Sequence, residues 1–174
     1  RYWVYEQHRV RLAAYALLLA AAYRAEQRIL LVSPYFVPDD ALLTAWCMAC
    51  RRGVKLTLVI PARSNHRLAD VARSPSLRAL MAAGADVRLY PRMLHAKAII
   101  VDENVAWCGS ANLDSRSLFL NFELNTAFYD TSAIAWLSSW ALQLASESEC
   151  APKQAPSAAR ELFEGLVRIV GFQL

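Results

Sequence analysis

The sequence predicts an α/β fold: a mixed β-sheet flanked by helices on both faces, in an α/β/α sandwich. Two observations carry this. Apolar runs of strand length, most of them closed by Pro or Gly, alternate with longer alanine- and leucine-rich runs of helix length. The 174 residues are also 56% hydrophobic and 20% charged, which suits one domain with a substantial core and excludes a disordered chain.

The elements follow in turn. Val10 to Gln27 reads as a helix. Its centre, LAAYALLLAAAY from Leu12 to Tyr23, is very apolar, but a membrane span needs about 20 such residues. Arg11 and Arg24 fence this one in, so a buried amphipathic helix is expected. Arg28 to Ser33 is a short strand ended by Pro34. Asp39 and Asp40 then cap a helix reaching about Arg52, stopped by Gly53. Val54 to Ile60 is a strand stopped by Pro61, and Ala62 to Ser76 reads as polar and irregular. Leu77 to Ala83 is a helix ending at Gly84, and Asp86 to Tyr90 a short strand. Ala96 to Asp102 is Ile/Val-rich and pairs with Val105 to Cys108 across a tight turn at Glu103-Asn104. Asn121 to Tyr129 is a further strand. Ser132 to Ser146 is a helix with Trp136 and Trp140 on one face. Glu149 to Ser157 reads as a linker and Ala158 to Val170 as a closing helix.

Charge and cysteines bound the chemistry. The net charge of +4 favours anionic partners without implying a nucleic-acid binder. Four cysteines do not make a disulfide framework in a chain this long, and a reduced, intracellular setting is expected. Cys47 and Cys50 have metal-like spacing, but no second Cys/His pair follows. They read as buried small side chains on a helix. The chain opens at Arg1 with no Met and no signal peptide, which is read as a piece of a longer protein.

The run Leu94 to Asp114 holds the chemistry. His95 and Lys97 are two apart, so on a strand they share a face. A lysine there draws in a phosphate, and an imidazole can attack phosphorus. Gly109-Ser110-Ala111-Asn112 follows the paired strand: the glycine permits close approach, and Ser110 and Asn112 offer short polar groups to phosphate oxygens. Asn112 or Asp114 could equally cap a helix. Glu123 is placed to accept from His95 and fix its tautomer. Tyr35 and Phe36 fall at a strand's C-terminal end, where such sheets place their sites; lining a lipid-binding mouth and packing in the core are both open to them. His8 and His66 lack a lysine two residues on and read as surface residues.

His95-x-Lys97-x4-Asp102-x6-Gly109-Ser110-x-Asn112 matches in full the HxKxxxxDxxxxxxGSxN motif of the phospholipase D superfamily. GSANLDSRSLFLNFELN and the upstream Ser33-Pro34-Tyr35-Phe36-Val37-Pro38 resemble the cardiolipin synthase branch. The resemblance implies a phospholipase D-like catalytic domain over residues 1–174, the C-terminal half of a two-motif protein. It implies a phosphohistidine intermediate with no metal and no cofactor. His95 would be nucleophile or general acid/base, with Lys97, Asn112, Ser110 and Gly109 around the phosphate and Glu123 orienting His95. Asp102 would hold the strand-to-turn geometry, and Arg116 would pair with Asp114 or Asp102. The implied reaction moves a phosphatidyl group between phosphatidylglycerol molecules, on the cytoplasmic side of the cytoplasmic membrane. An in-line displacement needs a second histidine, and this chain has one motif. A first-motif half of the same protein, or a second copy, would complete the site. Hydrolysis of a phospholipid or of DNA, and a non-catalytic partner role, are the rival readings; the modest charge and high apolar fraction favour lipid over nucleic acid.

Overall fold

The computed structural model describes residues 15–153, 156–157, 160, 163–165 and 167. Residues 15–24 are helical (α1), followed by β1 (Arg28–Val32), β2 (Phe36–Val37), α2 (Asp40–Arg51) and β3 (Lys55–Pro61). Next come α3 (Arg67–Ala72), α4 (Ser74–Ala83), β4 (Asp86–Tyr90), β5 (Ala98–Val101) and β6 (Val105–Gly109). The described part continues through β7 (Leu113–Asp114), α5 (Ser115–Phe119), β8 (Asn125–Phe128), α6 (Thr131–Ser146) and β9 (Glu149–Cys150).

Seven strands form one mixed sheet in the order β8-β6-β5-β1-β3-β4-β9. β1, β3 and β4 run parallel, while β5, β6 and β8 fold back and forth as an antiparallel meander from β1. The alternation of side chains along a strand sorts two cores. Ile29 and Leu31 of β1 face the helices α1, α2 and α4, where Ala22, Leu42, Trp46 and Leu80 are buried. Leu30 and Val32 face α6, where Ile134, Leu137 and Ala141 are buried. Both faces of the sheet are thus covered, as the sequence predicts.

Register decides what meets at one end of this sheet. Val32 at the C-terminal end of β1 pairs with Ala98 at the start of β5, Ala98 pairs with Cys108, and Gly109 pairs with Asn125. The segments before β5, after β6 and before β8 therefore converge where β1 and β3 end.

Several local expectations change. Residues 62–76 are not irregular, since α3 and the start of α4 lie there. Their polarity hides them: Arg73 sends its guanidinium inward to Pro61 O at 2.9 Å and Ala62 O at 3.0 Å. Pro75 falls in the first turn of α4, where a missing N–H costs nothing. The strand expected from Ala96 begins at Ala98, so His95 and Lys97 precede it. The strand expected from Asn121 begins at Asn125. Glu149 and Cys150, read as linker, form β9 because the exposed edge of β4 takes up their backbone, with Ala151 N donating to Val87 O at 2.8 Å. In the closing segment, residues 160, 163–165 and 167 are helical. His8 lies outside the described residues. No helix among the described residues is long and apolar enough to cross a membrane.

Candidate active site

His95 is exposed at the converging sheet end, on the irregular segment ahead of β5. The backbone there is fastened by Lys97, whose Nζ donates to His95 O at 2.9 Å. Lys97 is half-buried. Burial pushes its pKa below the usual lysine value, partly offset by the carboxylates of Glu123 and Asp114. It is a cation held partly out of water, and the two acidic groups nearby favour its charged form.

Gly109 makes the neighbouring wall. A Cβ there would fall 2.2 Å from Leu124 O and 2.7 Å from Asn125 Cα, so only glycine lets β8 approach this closely. That approach ties Ser110 to the opposite segment: Ser110 N donates to Leu124 O at 3.0 Å, and Leu124 N donates to Ser110 Oγ at 2.9 Å. It also brings Ser110 to Glu123. Its carboxylate accepts from Ser110 Oγ at 2.5 Å and from Asn121 Nδ2 at 3.2 Å, where the sequence reading expects His95.

Asn112 stands between two hollows. Its Nδ2 donates to Ser117 Oγ at 3.2 Å, while its Oδ1 is buried with no hydrogen-bond partner among the described residues. Asp114 next to it caps α5, accepting from Ser117 N at 2.7 Å, and burial raises its pKa despite that bond.

The first hollow is a cleft of about 440 Å³. Asp39, Asp40, Asp114, Arg116, Asn112 and Asn121 contribute to its lining, together with Tyr35 and His66. The Tyr35 ring lies edge-on to His66 at 5.5 Å and to His95 at 6.5 Å. His66, read from the sequence as a surface residue, is exposed but borders this cleft. Its loop is pinned by Tyr35 OH donating to Asn65 Oδ1 and by Ser64 N donating to Asp70 Oδ2 at 3.0 Å. The signal was available: His66 follows β3, and the ends of parallel strands are where α/β sheets place their sites.

The second hollow, of about 260 Å³, shares Asn112 with the first and has Lys97 and Gly109 also in its lining. Phe36 lines neither. It is fully buried and stacks on Trp46 with ring centroids 5.7 Å apart, so the substrate-binding role open to it in the sequence is corrected to core packing. The alternation along β2 turns its side chain inward. Asp102 lies at the opposite end of β5 from His95. Its carboxylate accepts from the backbone N–H of Glu26, Gln27 and Arg28 at 3.0, 2.9 and 2.8 Å. Burial would raise its pKa, but these bonds outweigh it and hold the group below the usual carboxylate range. Cys47 and Cys50 are half-buried on α2; burial pushes the Cys50 thiol up to about 11 and raises Cys47 as well, which makes both poor thiolates.

A family profile described as "Cardiolipin synthase, PLD-like domain" matches residues 18–145, a span that holds every one of these residues. The chain belongs to this family. Among its relatives, cardiolipin synthase A of Pseudomonas putida is 43% identical over 117 residues, covering 66% of this chain and 24% of that protein. Cardiolipin synthase A of Escherichia coli O157:H7 is 40% identical over 114 residues, covering 65% and 24%. The matched segment thus spans about a quarter of the length of these relatives. The fold is shared with Nuc of Salmonella typhimurium, a phospholipase D family member (TM-score 0.69, 21% identity, 79% of this chain and 90% of that one). It is shared too with phosphatidylserine synthase of Haemophilus influenzae (TM-score 0.68, 16% identity, 92% and 44%).

Proposed function

We propose that this domain carries half of the active site of a cardiolipin synthase-type phosphatidyltransferase. The observation that supports the reading is that Lys97, whose Nζ donates to His95 O, lines one hollow together with Asn112, at the sheet end where Ser110 meets Glu123. A ring nitrogen of His95 attacks the phosphorus of phosphatidylglycerol. The bond to the glycerol headgroup breaks, and a phosphohistidine forms. Lys97 and the second N–H of Asn112 spread the charge on the phosphate oxygens. The released glycerol takes its proton from a second acid on the far side of phosphorus. A hydroxyl of a second phosphatidylglycerol then attacks, gives up its proton to that group, and restores His95 as cardiolipin forms.

One phosphodiester replaces another, so the exchange itself consumes no nucleotide. The second acid belongs to another motif-bearing half, from the same protein or a second copy. The domain works at the cytoplasmic face of the membrane, where its substrate lies.

The test is incubation of the full-length protein, or of this chain if it dimerises, with phosphatidylglycerol and EDTA, followed by mass spectrometry of the lipids, with His95→Ala as control. Cardiolipin and glycerol are expected, surviving EDTA and falling about a thousandfold or more in the variant. Phosphatidic acid without cardiolipin would make the domain a hydrolase and overturn the transfer reading.

A further inference from the structure

We infer that the second hollow holds the start of one fatty-acyl chain of the phospholipid whose phosphate rests on Lys97 and Asn112; this rests on the phosphatidyl-transfer reading. Four observations point to it. The lining is largely apolar, with Leu17 and Leu18 of α1, Trp107 of β6, Ala127 of β8 and Leu118 of α5. Lys97, the half-buried cation, and Asn112 also line the hollow. An apolar hollow that includes a cation complements a ligand that is anionic at one end and hydrocarbon beyond. A phospholipid has that shape, whereas a nucleic-acid strand offers sugar and base instead.

The size agrees. At roughly 30 Å³ per water-sized group, about 260 Å³ holds some eight groups, the upper part of one chain. The rest of the chain continues past Leu17 and Ala127, which are both exposed, toward the bilayer. The last observation is the place of Asn112. It lines both hollows, so a phosphate there borders the acyl slot and also the cleft lined by His66, Asp39 and Asp114. The lipid is therefore threaded with its hydrocarbon toward α1 and its headgroup toward α3.

Binding separates this inference from the chemistry. The probe is a short-chain phosphatidylglycerol brominated on its acyl chains, used below its micellar concentration; bromine quenches a nearby indole. Quenching that disappears in Trp107→Phe is expected. Ala127→Phe puts a ring into the slot from an exposed edge-strand position that tolerates aromatics. It should weaken the lipid about tenfold or more and leave unchanged the binding of glycerophosphoglycerol, the same diester without chains. Leu17→Trp fills the slot from the helix side and should act alike, which guards against a folding defect in either variant. Lipid that binds with Trp107 unquenched, or with equal affinity to the filled variants, overturns the slot even if cardiolipin is made. Quenching without cardiolipin keeps the slot and sinks the transfer reading. Failure of the lipid to bind at all overturns both.

Discussion

Lys97 and Asp102 belong to one motif and do opposite work. Lys97 is a half-buried charge bonded to His95 O, and burial has already weakened its hold on its proton. Because the lysine's folded pKa is lowered, its cation is lost at a lower pH than that of an ordinary lysine. Activity should therefore decline on the alkaline side starting below the ordinary lysine value, a limb absent from Lys97→Arg when pH–rate profiles are compared. Lys97→Ala should lower kcat/KM about a hundredfold or more. Asp102 has no substrate to wait for. It is 5% exposed, its φ is +52°, a conformation Asp tolerates better than branched residues, and three backbone N–H groups end on it. Asp102→Ala would orphan those donors and should cost about 3 kcal/mol in urea unfolding. The folded carboxyl titrates below the unfolded one. Its contribution is thus present at neutral pH and lost as pH falls through the folded value, so the gap between wild type and Asp102→Ala should narrow in acid.

Among the elements, the β6–β8 pair carries the site wall. Its spacing depends on Gly109, since a Cβ would also lie 2.5 Å from Asn125 Oδ1 in addition to its backbone clashes. Gly109→Ala should lower stability by about 2 kcal/mol or more, because two of the three obstructing atoms are backbone and cannot swing aside. Ser110 and Glu123 would be displaced with the strand, so thermal unfolding and lipid turnover should fall together. If turnover survived at full rate, the Ser110–Glu123 contact would have no part in the site. The helices show how local signals read well or badly. Asp39 caps α2 by accepting from Leu42 N at 3.3 Å, and Asp130 caps α6 by accepting from Ala133 N at 2.9 Å. Side chains of that kind announce a helix before any packing is known. α3 has no side-chain cap and a single fully buried side chain, Ala72, so its sequence passes for loop.

The molecule is closed by contacts that join distant parts of the chain. Glu164, 1% exposed, accepts from Arg78 Nη2 of α4 at 2.6 Å and from Arg160 Nε at 3.0 Å. Arg78 first, then Arg160, hold its pKa below the usual range against the effect of burial. Glu164→Gln should cost about 2 kcal/mol in denaturant unfolding, on the low side because Arg78 remains partly in water. The pair contributes at neutral pH and fades in acid as Glu164 takes up a proton. Such a pairing, 86 residues apart, leaves no trace in local sequence.

The alternation of strand and helix, the α/β class, most element positions and the residues of the His-Lys-Asp motif could all be read from the chain, because period, caps and breakers act within a few residues. Location was decided by pairing and packing. The motif's aspartate and histidine lie at opposite ends of β5, since a strand of this length spans the sheet. Tyr35 lines the cleft while its neighbour Phe36 enters the core, where it stacks on Trp46. Glu123 meets Ser110 because Gly109 stands opposite Asn125, and His66 joins the cleft because β3 ends beside β1. Each of these depends on which distant segment becomes a neighbour, a choice made by the sheet's register and the two cores together.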